Sequence, residues 1–264
     1  MVEGLIANAA LLLAAMFALW LVAIRIGDVS FVDAVWGAGM ALLALASWVQ
    51  LGDPGARAHL ILAMTGLWGM RLAVHLFVRW RSHGEDSRYA RMLGGAKDRG
   101  RFASAALGKV FAPQAVLLFL TCLPAQMGIL AGAEPAPLGL LAWTGLALWG
   151  VGVFFEWVGD WQLARFRADP ANRDKVMDRG LWRYTRHPNY FGDACAWWGI
   201  WLAAVAAGWN IAAWSVVGPL FLTFTLTRWS GKPLLEKGLA RRRPGYADYV
   251  ERTSGFIPLP PKRG

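Results

Sequence analysis

Leu5-Ile-Ala-Asn-Ala-Ala-Leu-Leu-Leu-Ala-Ala-Met-Phe-Ala-Leu-Trp-Leu-Val-Ala-Ile24 runs for 20 residues without a charge. A helix of about 20 mostly apolar residues matches the hydrocarbon thickness of a bilayer. A cleavable signal core is shorter, about 7–15 residues, with a basic start and a small-residue cleavage site. Here the one early charge is Glu3, so the run is read as a retained span.

Further apolar runs occupy 31–50, 59–80, 108–131, 138–163, 190–208 and 210–228. The last two meet at Trp209 and Asn210 and form a helical hairpin, because one helix of that combined length would overshoot the bilayer. The expected fold is all-α: a polytopic integral membrane protein of seven transmembrane helices, with cytoplasmic loops capping the bundle. Composition agrees. Charged residues make up 17% of the chain, below the rough quarter typical of soluble domains, and Trp (16) and Gly (30) are abundant, as membrane helices and their interfaces require. No repeat or soluble domain stands out, and 1–264 reads as a single membrane domain.

The net charge of +10 would suggest nucleic acid on a soluble protein. On a membrane protein it first sets orientation. The polar stretches 79–109, 164–189 and 228–264 hold 24 of the 27 Lys and Arg, and Arg25 lies in the first loop on the same side. Seven spans put them all in the cytoplasm if the N-terminus is outside and the C-terminus inside. Arg57, beside Asp53, is on the opposite side. No nucleic-acid partner is expected. An anionic ligand and membrane lipids are the remaining explanations of the charge.

Ionisable groups inside spans are costly and usually functional. Asp33 starts the second run, Arg71 and His75 are one turn apart in the third, and Asp193 follows the start of the sixth. Asp33 is a natural partner of Arg71, as is a ligand. Glu156 and Asp160 share one face of the fifth run by their i,i+4 spacing. Two carboxylates so placed need a cation, a proton or donors. They either pair with Arg165 or Arg167 or help to hold a polar ligand at the cytoplasmic mouth. Cys122 and Cys195 lie in apolar runs without metal-binding spacing, and no metal is expected.

The segment Gly180-Leu-Trp-Arg-Tyr-Thr-Arg-His-Pro-Asn-Tyr-Phe-Gly-Asp193 crosses from a basic loop into the sixth run. Pro188 suits a first helical turn. The amides of that helix start, with Arg183, Arg186 and His187, make an anion site. Asn189 and Asp193 project one turn apart and suit an amide or ribose.

This segment resembles the Arg-His-Pro-x-Tyr-x-Gly signature of a membrane family that includes the steroid 5α-reductases, the sterol C14 reductases and the isoprenylcysteine methyltransferases. The tail, Arg228-Trp-Ser-Gly-Lys-Pro-Leu-Leu-Glu236 with Arg241-Arg-Arg-Pro-Gly-Tyr-Ala-Asp-Tyr249 and Thr253-Ser-Gly-Phe-Ile-Pro258, is similar to the same family, as is Glu85-Asp-Ser-Arg-Tyr89. Together they resemble its bacterial branch close to the steroid 5α-reductases.

The resemblance implies a multi-pass protein of the bacterial inner membrane that reduces the C4=C5 double bond of a 3-oxo-Δ4 steroid, or a similar lipidic enone, with NADPH. The substrate is expected to enter from the bilayer; a monomer is the expected state, which the sequence does not itself give. Spans about 5–131 form the substrate side, and spans and tail about 138–264 the cofactor side. Asp160 and Arg167 match an Asp and an Arg that bind the cofactor, and Asn189 matches an Asn that contacts it. Asp193 stands where those enzymes carry Glu, and Arg228 matches an Arg ending the last span. Lys232 stands in place of a His and Glu236 in place of a Tyr. Arg88, Glu156, Tyr184, Arg186, His187, Tyr190, Tyr246 and Tyr249 complete the expected cofactor set. On the substrate side a Glu and a Tyr of the animal enzymes grip the ketone oxygen. Asp33 is the counterpart of that Glu. The third run holds no Tyr, and Trp68 or Arg71 falls near its position, so Asp33, Arg71 and Trp68 are the catalytic candidates. If Asp33 pairs with Arg71 it stays ionised and the arginine is the electrophile; otherwise a protonated carboxyl can be the donor. No GxGxxG follows a strand, which excludes a Rossmann site. The alternatives are an S-adenosylmethionine-dependent isoprenylcysteine-type methyltransferase and a non-enzymatic lipid-binding module.

Overall fold

A computed structural model describes residues 1–132, 137–229, 231, 232, 236, 238 and 243–262. Ser230, Pro233 to Leu235, Arg241 and Arg242 of the tail motif lie outside them. Every regular element among the described residues is helical: α1 Val2–Ile26, α2 Val32–Val49, α3 Ala56–His83, α4 Ser87–Lys97, α5 Phe102–Thr121, α6 Leu123–Leu130, α7 Leu140–Ala168, α8 Pro188–Val205, α9 Trp209–Trp229 and α10 Tyr246–Arg252. Helices α1, α2, α3, α5, α7 and α9 are long and apolar enough to cross a membrane. The chain is a polytopic α-helical membrane protein.

Six helices among the described residues meet that measure, and the expected count of seven is not confirmed by it. The sixth expected run does form as α8, with 18 residues, but Asn189 and Asp193 in its first turns lower its apolarity. The expected run 108–131 is also two elements. Helix α5 begins at Phe102 and ends at Cys122, and α6 restarts with Pro124 in its first turn. Proline has no N–H to continue the ladder. Leu107–Phe111, just before Pro113, widens into a π turn, a usual response to a missing i→i−4 donor. The hairpin turn between α8 and α9 falls at Gly208, whose φ of 132° is open to glycine and strained for other residues.

The chain divides into two compact units: Met1–Ala142 with Ala203–Gly218, and Trp143–Leu202 with Pro219–Gly264. In the first, α2 packs most extensively on α3. A β-carbon added to Gly37 would overlap the Gly69 carbonyl, and one on Gly69 the Gly37 carbonyl. The two backbones touch, the close approach by which membrane helices replace the absent hydrophobic drive. Asn8 of α1, fully buried, donates to Ser47 Oγ of α2 (2.7 Å) and Gln126 Oε1 of α6 (3.0 Å), and accepts from Gln50 (2.8 Å). This satisfied network fixes three helices in register. Arg57 donates to the Ala131 carbonyl at the end of α6 (2.8 Å).

In the second unit α7 and α8 meet through glycines again. A β-carbon on Gly152 would lie 2.5 Å from the Gly192 carbonyl oxygen, and one on Gly199 2.5 Å from that of Gly145. The sevenfold spacing on both helices keeps these contacts on one seam.

Gly37→Val should separate α2 from α3 and lower stability by about 1–3 kcal/mol or more, the range for overpacking. Gly66→Ala, on α3 but facing open space, should leave the thermal midpoint in detergent unchanged or slightly raised. Equal effects of the two substitutions would contradict the backbone contact.

Candidate functional site

Among the described residues, each unit carries a cluster of charged side chains. In the first, the loop between α1 and α2 is held by Asp28, which accepts from Trp80 Nε1 (2.8 Å) and the Ser30 amide (2.7 Å). Burial raises the Asp28 pKa, but these donors outweigh it and the net shift is downward. Ser30 Oγ accepts the Asp86 amide (2.8 Å), and Asp86 caps α4 by accepting from the Arg88 amide (2.8 Å). The Asp86 carboxyl is lowered chiefly by the Arg88 guanidinium.

That loop delivers Arg88 and Tyr89 to Asp33 at the start of α2. Arg88 Nη2 lies 2.7 Å from Asp33 Oδ2, and the Tyr89 hydroxyl donates to Asp33 Oδ1 at 2.6 Å. Gln114 Nε2 of α5 donates to the Tyr89 oxygen (3.1 Å), and Trp36 Nε1 to Gln114 Oε1 (2.8 Å). Burial and the Asp33 charge push the Tyr89 pKa well above its ordinary value, so its O–H persists across physiological pH. Hydrogen bonding to Asp86 raises Arg88 in the same way.

The hydrogen bonds described for Asp33 thus come from α4, from Arg88 and Tyr89, where the sequence suggested Arg71. Trp68 is buried in α3 and Arg71 half-buried one turn on. Arg88, expected on the cofactor, bridges Asp33 and Asp86. Tyr89, Gln114 and Trp36 were missed. Tyr89 stood in the quoted Glu85–Tyr89 motif, and Gln114 is a polar residue in an apolar run.

In the second unit the start of α8 is bound to the C-terminal tail. The Arg186 side chain is 8% exposed and makes four hydrogen bonds: Nε and Nη2 to Glu236 (2.8 and 3.4 Å), and Nη1 to the carbonyls of Val250 (2.9 Å) and Thr253 (2.6 Å). His187 Nε2 lies 3.0 Å from Glu236 Oε1, and the His187 ring stacks on Tyr190 with centroids 5.2 Å apart. The Arg186 amide donates to the Ser254 carbonyl, Thr185 Oγ1 to that of Phe256, and the Leu259 amide to that of Tyr184. Burial raises the Glu236 pKa, but hydrogen bonds from His187 and Arg186 outweigh it and hold the carboxyl at about 2. Burial, helped by the Glu236 charge, pushes Tyr246 up to about 12. Tyr249, raised by burial, donates to the Trp182 carbonyl at 2.5 Å.

Asn189 Nδ2 donates to Asp160 Oδ1 (3.1 Å), linking α8 to α7. Glu156, one turn from Asp160, is buried against Gly192, and Asp193 is half-buried. Arg167 and Tyr184 are exposed. Thr227, Arg228, Lys232, Ser254, Gly255, Phe256, Ile257 and Leu259 line a cleft of about 540 Å³. The volume lies within the range of small-molecule sites, and its two cations suit a polyanion.

These features define a polytopic membrane protein with an acid–phenol cluster in one unit and a cationic cleft in the other. A family model described as "Protein of unknown function (DUF1295)" matches residues 19–253, and the chain belongs to that family. It is also similar to 3-oxo-5-alpha-steroid 4-dehydrogenase 1 of Mus musculus, with 34% identity over 83 residues, 31% of this chain and 29% of that protein. The Rattus norvegicus protein of that name is 33% identical over 84 residues, 32% and 29% of the two chains, and that of Bos taurus 32% over 82 residues, 31% and 28%. The chain thus matches less than a third of the length of these relatives. No solved structure gives a significant match.

Glu236→Ala should cost about 3–5 kcal/mol, the range for leaving one member of a buried ion pair uncompensated. The pH dependence follows from the lowered carboxyl. The wild-type advantage over Glu236→Gln should be complete above about 4.5 and disappear as pH falls toward about 2. Thermal melts of both proteins between those limits and neutral pH check this; a constant difference would contradict it.

Proposed function

We propose that the chain is an NADPH-dependent oxidoreductase that reduces a lipidic enone, such as the C4=C5 double bond of a 3-oxo-Δ4 steroid. The observation that carries the reading is the cleft lined by Arg228 and Lys232 in a chain aligned with 3-oxo-5-alpha-steroid 4-dehydrogenases. A dinucleotide with several phosphates needs such cations, whereas a sulfonium methyl donor does not.

NADPH, when bound, supplies the hydride to the β-carbon of the enone. Asn189, hydrogen-bonded to Asp160, would meet its amide or ribose, and Arg167, Arg228 and Lys232 would meet its phosphates. As hydride arrives, charge grows on the ketone oxygen, and a prepositioned donor stabilises the enolate. Tyr89 is the donor that the hydrogen bonds favour. Its O–H is retained, and Gln114 and Asp33 fix its direction. On substrate binding the hydroxyl exchanges Asp33 for the ketone oxygen, and Arg88 keeps Asp33 compensated. A proton delivered to the α-carbon completes the reduction. Trp68 and Arg71 remain candidates for shaping the substrate chamber.

A steroid-like enone partitions into the bilayer and reaches the protein sideways. The basic stretches face the cytoplasm, where the cofactor is found, and the N-terminus lies outside the inner membrane of a bacterium. The protein acts as a monomer among membrane lipids.

Tyr89→Phe should lower kcat about 10²-fold, the scale for losing one such donor, with the KM for NADPH unchanged. Asn189→Ala and Arg167→Ala should raise that KM about tenfold, the effect of one lost hydrogen bond, and Asp33→Ala should mainly lower kcat. Steady-state kinetics on a 3-oxo-Δ4 steroid separate these effects. Unchanged nucleotide affinity in the Asn189 and Arg167 variants would remove the site assignment.

A further inference from the structure

Arg186, His187, Arg228 and Lys232 are among the positive groups near the tail, but they are not equivalent. Arg186 and His187 converge on Glu236, and Arg186 also holds two tail carbonyls. Arg228 and Lys232 have no acidic partner among the described residues. Both line the cleft. The Lys232 ammonium rests directly over Gly255, where an added β-carbon would overlap it. Ser254 and the apolar residues Phe256, Ile257 and Leu259 line the same cleft.

A site of two cations without an acidic partner among the described residues, lined also by Ser254 and apolar side chains, fits a phosphate monoester attached to a flat apolar group. A monoester concentrates nearly two charges on one group at neutral pH, which calls for point charges that approach it separately. A pyrophosphate diester spreads its charge and is commonly met by helix-start amides. Lysine is a mobile point charge, and a glycine floor lets it move to its partner.

We propose that Lys232 is the specificity-determining residue for the phosphorylated cofactor: with Arg228 it receives the 2′-phosphate of the dinucleotide, and the adenine lies on Phe256, Ile257 and Leu259. Arg186, His187 and Glu236 do not touch that phosphate but hold the wall of the cleft in place. The inference rests on the dinucleotide reading above and adds the origin of the preference for NADPH over NADH.

The test uses the full chain in phosphatidylcholine nanodiscs. For wild type, Lys232→Met and Lys232→Arg, it measures kcat/KM with NADPH and with NADH, and the binding of adenosine 2′-monophosphate and of adenosine. Lys232→Met should reduce the NADPH:NADH preference about ten- to hundredfold, the scale of one charge-assisted hydrogen bond. It should weaken adenosine 2′-monophosphate by a similar factor and leave NADH and adenosine unchanged; Lys232→Arg should restore most of the preference. Equal losses with both nucleotides, or an unchanged ratio, would overturn the inference while leaving the dinucleotide reading intact. Binding of neither nucleotide to the wild type would end both. Loss of adenosine 2′-monophosphate binding when phosphatidic acid is added to the discs would make the cleft a lipid-phosphate site and overturn the assignment.

Discussion

The Arg186 guanidinium is almost wholly buried, and a charge so placed must be met by an anion and by carbonyls or it unfolds its surroundings. Glu236 meets the charge, and the carbonyls of Val250 and Thr253 take the remaining donors. Because these partners lie 50 to 67 residues away, satisfying one side chain brings the tail back onto the start of α8. Main-chain bonds from Arg186 to Ser254 and from Leu259 to Tyr184 then continue the seam. The tail so fixed becomes one wall of the cleft. Arg228 and Lys232 line the same cleft and have no acidic partner among the described residues.

Within the spans, tight packing does what burial from water does elsewhere. The Gly37–Gly69 contact and the Gly145, Gly152, Gly192 and Gly199 seam let backbones touch. The Asn8–Ser47–Gln126 bonds add direction, since their groups would find no partner in hydrocarbon. Rigid pairs of helices of this kind can hold an acid–phenol pair such as Asp33 and Tyr89 at fixed distance.

Span positions were legible in the sequence because a 20-residue apolar run has few alternatives to a helix in a bilayer. The breaks were less so. Pro113, Pro124 and Gly208 announced disturbances without saying whether each would widen, end or turn the helix. The Arg-His-Pro segment was legible as a special feature, but the partner of Arg186 was not. Neither periodicity nor spacing connects it with Glu236, and an arginine beside a helix start reads equally as an anion site or as half of a buried pair. Asp33 was singled out as an unusual acid in an apolar run, whereas its tie to Tyr89 depends on how the loop after α3 folds back, which Ser30 and Asp28 determine through local hydrogen bonds. Lys232 carried a signal only as a departure from the resembled pattern. Its surroundings gave that departure a physical meaning.

The central claim is that the cationic cleft holds a phosphorylated nicotinamide dinucleotide. The most direct measurement is to purify the full chain gently from membranes and identify by mass spectrometry the small molecule that comes with it. Recovery of NADPH or NADP⁺ in near-stoichiometric amount, lost on denaturation, is the result predicted. Recovery of S-adenosylmethionine or its demethylated product in its place would contradict it.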